Sequence, residues 1–337
     1  MLIKELTNLN GVSGDEGLVR SFIINEVKAY ADDITVDNLG NIIAFKKGNS
    51  DKKIMLSCHM DEVGFIVSGI NDKGFIKFRT VGGIDTRVIL SKKVTIGKNK
   101  IKGVIGMKAI HLQKPSERET VPEIKDIFID IGAKDKKDAE KVVSLGDYIA
   151  FDTEFERLGE DTIKAKALDD RVGCAILIEL MKKTVKYDTY FCFTTQEEVG
   201  LRGAKVAAYR INPDIALVVE GTTANDGFGF SEHEYVTSMG GGAAITFMDK
   251  TMIVDKNLRS RLYDLAEKEG ICVQYKRAAA GGTDAGKIHL EKSGIKTLVV
   301  AVPVRYLHSP CCLASFRDVL SVRDLCGLFL DKIDEVI

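Results

Sequence analysis

Beyond residue 164, short apolar runs alternate with stretches of helical period, and that alternation commits the chain to a sheet layered between helices. Runs at 190–194, 215–219, 243–247, 271–275 and 297–301 interleave with helical patterns at 171–182, 204–209, 256–268, 284–290 and 316–336. Strands separated by helices pair mostly in parallel, so an α/β fold with a mostly parallel sheet covered on both faces is expected. The N-terminal segment reads the same way. Ser13-Gly14-Asp15-Glu16 has the form of a capping box ahead of a helix with Leu18, Val19, Phe22, Ile23 and Val27 on its apolar face. Strands are expected at 34–36, 42–45 and 54–57.

Between about 66 and 160 the texture changes. Runs at 74–79, 88–90, 94–96, 101–105 and 127–130 are short, β-rich and separated by Gly, Asn and Lys. One short helix is expected at 135–143, and a mobile loop over the polar, Pro-containing stretch 111–125. This pattern predicts a small β-barrel or sandwich, 66–160, inserted into an α/β domain formed by 1–65 and 161–337.

The 337 residues carry a net charge of −1, with no basic stripe or charge block, which argues against nucleic-acid and membrane-surface partners. No apolar run approaches the roughly 18 residues of a membrane span, so a cytoplasmic protein is expected. The seven Cys include no C-x-x-C and fall largely in apolar segments, which predicts reduced, mostly buried thiols.

Acids and imidazoles cluster just past the ends of the expected strands. His59 and Asp61 follow 54–57, Glu197 and Glu198 follow 190–194, Glu220 ends 215–219, and His308 follows 297–301. Asp169 and Asp170 open the helix after a short strand at 162–165. In open α/β sheets, ligands bind outside the carboxyl ends of the strands. Two His and several carboxylates without thiolate suit Zn²⁺, Co²⁺ or Mn²⁺, and the donors suffice for two ions if one carboxylate bridges. Adjacent Glu197 and Glu198 repel unless their work is divided: one binds metal and the other serves as a base for water. Asp61 is placed to fix the second ring nitrogen of His59. Spacing alone leaves open whether Asp169 or Asp170 is the ligand. His111, His233 and His289 have no evident partners.

Assembled, these segments resemble the tetrahedral aminopeptidases, a family of two-metal peptidases also known as glutamyl or deblocking aminopeptidases and sometimes as endoglucanase M. The matching stretches are Gly11–Gly14, His59–Gly64, Lys166–Arg171, Gln196–Ala204, Val219–Thr222, Gly282–Ala285 and Arg305–Pro310. The resemblance implies that His59, Asp169 and Glu220 hold one Zn or Co ion. Asp169, Glu198 and His308 would hold the other, with Asp169 bridging, Glu197 as general base and Asp61 orienting His59. Many relatives have Asp where this chain has Glu220. The resemblance further implies release of N-terminal residues from short peptides, pairing of subunits through the insert, and dimers assembling into a tetrahedral dodecamer. A related dipeptidase or deacetylase is the nearest alternative. A glycosidase is disfavoured, because its two carboxyls must face each other across a sugar.

Overall fold

The computed structural model describes residues 1–279 and 281–337. Its main sheet has eleven strands. Four form the centre in the order Asp188–Thr194, Lys53–His59, Ile215–Thr223 and Lys296–Arg305, all parallel. Most pairings outside this centre are antiparallel. Ile42–Lys46 and then Asp33–Val36 continue one edge; Cys312–Ser315, Thr162–Ala165 and Glu156–Leu158 continue the other. Ala243–Thr246 branches from Lys296–Arg305 and carries Val273–Lys276 beside it, parallel. Apart from that pair, the parallel strand pairings are those of the four central strands.

Leu168–Met181 crosses the centre and packs with Phe316–Asp331 and Gly17–Val27. Arg202–Ile211 and Ala285–Ile288 pack together against the central strands. One continuous apolar core fills these layers, including Ile54, Leu56, Phe191, Phe193, Leu217 and Val299. Each of these side chains stabilises the fold by about 1.5–3 kcal/mol when fully buried.

The second body is a closed antiparallel barrel of six strands: Gly64–Ile70, Ile76–Val81, Ile127–Asp130, Ile101–Met107, Lys93–Ile96 and Tyr148–Phe151. Its own core is centred on Phe65, whose ring meets Phe78 and Phe151 edge-on at 4.9 and 5.3 Å. Glu156–Leu158 already belongs to the main sheet.

Several expectations are corrected. Residues 86–89 form a helical turn instead of a strand at 88–90, because the Asp85 carboxylate accepts from the Arg87 N–H and caps it. Ser13 is not a cap: Gly17–Val27 starts after Glu16 without side-chain capping, and Leu18 is exposed while Val19, Ile23 and Val27 face the core. The last helix breaks at Lys332 into Phe316–Asp331 and Ile333–Val336. Stretch 111–125 includes the helical turn Pro115–Arg118. Ile215–Thr223 runs past 219, so Glu220 lies within a strand. Cys272 and Cys311 are exposed, unlike the other five cysteines. Among the described residues no helix is long and apolar enough to cross a membrane.

Candidate metal centre

The carboxyl ends of the central strands lie side by side. Thr194 is in register with His59, and Glu220 with Ala301. That alignment brings together residues 81 and 135 positions apart in the chain.

His59 closes its strand and is 1% exposed. Its Nε2 lies 3.3 Å from Asp169 Oδ1, 3.5 Å from Glu220 Oε2 and 4.0 Å from Glu197 Oε2. Nδ1 lies 3.1 Å from the Asp61 backbone carbonyl. His308 repeats the arrangement: Nε2 is 3.3 Å from Glu198 Oε2 and 3.7 Å from Asp169 Oδ2, and Nδ1 is 3.1 Å from the Gly83 carbonyl. With each Nδ1 facing a carbonyl that can accept its proton, each Nε2 is the nitrogen turned toward the carboxylates and the one available to a metal. Asp169 stands between the two rings, one oxygen toward each. The Gly221 N–H donates to its Oδ1 at 3.1 Å.

Asp170 points elsewhere. It is fully buried, with Oδ2 accepting from the His59 N–H and Oδ1 from the Gly173 N–H. Ligand atoms of His59, Asp169 and Glu198 lie within 4.8 Å of one another, and so do those of His59, Asp170 and Glu220. Asp170 already serves two backbone donors, so of the adjacent acids Asp169 has the freer carboxylate.

The Asp61 carboxylate lies within ion-pair range of His59 and makes its shorter bonds to other donors. Its Oδ1 is 3.6 Å from His59 Nδ1, beyond a good hydrogen bond. Instead Oδ1 accepts from the Glu197 N–H at 3.0 Å, and Oδ2 from the Glu198 N–H at 3.1 Å and the Ser13 hydroxyl at 2.6 Å. Asp61 thus fixes the two glutamates, while its carbonyl fixes His59.

Electrostatics mark the cluster as built for cations. Burial pushes Glu197 and Glu220 well above the ordinary carboxylate range, and neighbouring acids add to this. Burial raises Glu198 to about 7. Burial would also raise Asp169, but hydrogen bonds from His308 and His59 hold it below the usual range. Burial opposes charge on His308, yet Asp169 and Glu198 bring it up to about 9. Four buried or half-buried carboxylates crowd two imidazoles, an excess of negative charge that is costly unless cations neutralise it. The donors are N and O throughout, which fits divalent zinc-like ions.

Supporting residues carried little signal in the sequence. Glu62, 3% exposed, takes two hydrogen bonds from buried Lys166 at 2.6 and 2.7 Å and one from the Gly11 N–H. Asn41, fully buried, accepts from the Thr195 N–H and donates to the Gly203 carbonyl, bracing the turn that carries the glutamates. Gln196 and His308 adopt left-handed φ of 56° and 54°, and Ala167 one of 52°, each beside or at a site residue. Such conformations cost non-glycine residues energy and persist where the surroundings impose them. His289 is satisfied by the Ala285 carbonyl, away from the cluster.

The cluster opens into a cleft of about 660 Å³ whose lining includes Glu197, Glu198, His308, Lys250, Lys276 and Thr283.

Residues 40–325 match the M42 glutamyl aminopeptidase family. A protein of Acetivibrio thermocellus, provisionally named an aminopeptidase, is 42% identical over 94% of each chain. The glutamyl aminopeptidase of Lactococcus lactis is 32% identical, covering 95% of this chain and 92% of its own. The lysyl aminopeptidase of Pyrococcus furiosus is 30% identical, covering 98% and 96%. Among solved structures, an aminopeptidase of Desulfurococcus kamchatkensis superposes with a TM-score of 0.95 at 35% identity, covering 99% and 95%. The Pyrococcus horikoshii TET1 peptidase, described as assembling into a tetrahedron or a large octahedral shell, superposes at 0.87 and 33%, covering 97% and 98%.

Proposed function

The chain belongs to the M42 glutamyl aminopeptidase family and is a hydrolase of peptide bonds, and from that premise we propose that it removes N-terminal residues from short peptides at a two-metal centre. The observation that carries this reading is the placement of Asp169 between the two imidazoles, 3.3 Å from His59 and 3.7 Å from His308. His59, Asp169 and Glu220 would hold one divalent cation, Zn or Co, and Asp169, Glu198 and His308 the other. Bound there, such cations supply Lewis acidity toward the scissile carbonyl and acidify water.

The chain's own residues do the rest. Glu197 lies 4.0 Å from His59 and lines the cleft. It is the one carboxylate of the adjacent pair left free of a ligand role, so it takes the proton from the attacking water and returns it to the leaving amine. Its raised proton affinity suits a group that must hold a proton between the two steps. Asp61 keeps Glu197 and Glu198 on their separate tasks through their backbone N–H groups. The carboxylate-rich end of the cleft also suits the substrate's free α-ammonium. The chain acts as a homo-oligomer, with the barrel pairing subunits into dimers and dimers building a dodecamer; the tetrahedron named for the Pyrococcus horikoshii relative and the dodecamer named for PhTET1-12s support the assembly, and the barrel's part rests on the family resemblance.

The test is hydrolysis of an aminoacyl-anilide by chelator-stripped protein refilled with zinc or cobalt, beside the same anilide N-acetylated. Metal-dependent cleavage of the free-amine substrate alone is expected. Preference for the blocked substrate would favour a deacylase instead.

A further inference from the structure

The two imidazoles are anchored by different bodies of the fold. His59 Nδ1 faces the carbonyl of Asp61, two residues further along its own segment. His308 Nδ1 faces the carbonyl of Gly83, 225 positions earlier in the chain and 3.1 Å away. Gly83 lies between the barrel strand Ile76–Val81 and the helical turn Thr86–Ile89. Barrel contacts hold that stretch: Ile89 is buried in the barrel core, Ile84 packs against it, and the Thr86 hydroxyl donates to the Pro122 carbonyl at 2.7 Å. Gly82 has a left-handed φ of 84°, and a Cβ there would stand 2.8 Å from Val63 Cγ1 and 3.4 Å from Glu198 Cβ. The Gly82–Gly83 turn therefore runs against Glu198 and His308, two of the three side chains assigned to one cation. Little else fixes the His308 ring: its side chain is 35% exposed, against 1% for His59. A cavity of about 650 Å³ flanks the contact, lined by Asp85 and Arg87 from the barrel and by Tyr306 and Pro310 from the sheet body.

Resting on the two-metal reading, we propose that the barrel carries a positioning element for the metal centre: the Gly82–Gly83 turn sets the ring of His308, and the cation of Asp169, Glu198 and His308 is held tightly only while that turn is docked. A ligating imidazole needs its other nitrogen fixed, and losing such an anchor costs about 10- to 100-fold in metal affinity. His59 carries its anchor on its own segment, so its cation does not depend on the barrel. The two ions are therefore held by unlike supports. Whatever shifts the barrel against the sheet body acts first on the His308 ion. Gly83 also lines the substrate cleft, so the element that fixes this ion borders the substrate as well.

The experiment titrates chelator-stripped protein with zinc by calorimetry, comparing wild type with Gly82→Ala. Alanine strains the left-handed backbone and drives its Cβ into Val63, so the turn must move. One of the two zinc ions should weaken by about 10- to 100-fold while the other keeps its wild-type affinity. His308→Ala identifies the ion. It should lose the same one, and adding Gly82→Ala to it should leave the remaining ion unchanged, the non-additivity expected of residues acting through one contact. Gly132→Ala puts similar strain elsewhere in the barrel segment, at a φ of 75° with open space around it, and should spare both ions. Thr86→Val frees the stretch from Pro122 without touching either glycine, so it tests the same link if Gly82→Ala does not fold; it should weaken the same ion by a smaller factor. Equal weakening of both ions, no weakening of either, the same loss in Gly132→Ala, or a further loss in the double variant overturns the proposal and leaves the two-metal reading standing. A wild-type chain that binds fewer than two zinc ions sinks both together.

Discussion

Asp61→Asn is the substitution whose cost follows most directly from the geometry. Asp61 is fully buried and serves three donors: Oδ1 takes the Glu197 N–H, and Oδ2 takes the Glu198 N–H and the Ser13 hydroxyl. Asparagine keeps the shape but offers one acceptor oxygen. Whichever way the amide turns, its NH₂ faces one of the two backbone N–H groups. A buried donor left without an acceptor costs about 1–3 kcal/mol. The surviving bonds lose their charge assistance, a further ~1 kcal/mol. The sum is a loss of about 2–4 kcal/mol, to be measured by urea unfolding of metal-stripped protein so that metal binding does not mask it. The same change loosens the glutamates, and kcat/KM should fall by about 10- to 100-fold, the usual effect of removing a support behind a metal site. His59 keeps its carbonyl anchor, so metal content should change less than turnover. Stability within ~0.5 kcal/mol of wild type and unchanged kcat/KM would refute this account of Asp61.

Other outcomes follow from the same contacts. A Cβ on Gly221 would stand 2.9 Å from Asp169 Cβ and 3.0 Å from its Cα, so Gly221→Ala must displace that carboxylate. Its kcat/KM should drop by about 100-fold in steady-state assays, since small misplacements at reacting centres are that costly. Lys166→Met strands Glu62 in the interior with only Arg171, 3.6 Å away, as a nearby cation. A loss of about 3 kcal/mol in urea unfolding is expected, and no change would contradict the role given to the pair. In metal-stripped protein, Glu198 is raised from 4.5 to about 7 and His308 from 6.5 to about 9. Both bind protons more readily folded than unfolded, so stability is highest below pH 4.5 for Glu198 and below 6.5 for His308. It then declines as pH rises through 7 and 9. Thermal midpoints of stripped protein should therefore fall across that window and those of zinc-loaded protein should not. A flat or rising stripped profile would contradict the cluster's electrostatics.

Much of the site could be read from residue types and their order. His59, Glu197 and His308 each follow an apolar run, and in a sheet with a parallel centre those runs end at one rim. Glu220 was placed one step too late, because its strand continues through Gly221 to Thr223 and the sequence there gives no stop signal. Spacing could not separate Asp169 from Asp170; the two backbone donors that occupy Asp170 support the choice of Asp169. Ser13 looked like a cap because a hydroxyl three residues before a glutamate matches the local rule. The fold brings it instead to Asp61, 48 positions away, and that tertiary bond wins. Asn41 is a similar case, 154 positions from the Thr195 N–H it accepts. The left-handed backbone at Gln196 and His308 had no glycine to announce it. The turn at Thr86–Ile89 rests on the Asp85 cap, which a three-residue apolar run obscured.

The decisive measurement pairs turnover with metal content in Glu197→Gln. The variant should bind two zinc ions per chain by equilibrium dialysis, because the proposed reading gives Glu197 no ligand role, while kcat falls by about 10²–10⁴ through loss of the proposed proton acceptor. Near-normal turnover, or fewer than two ions bound by the wild-type chain, would contradict the two-metal, Glu197-based reading.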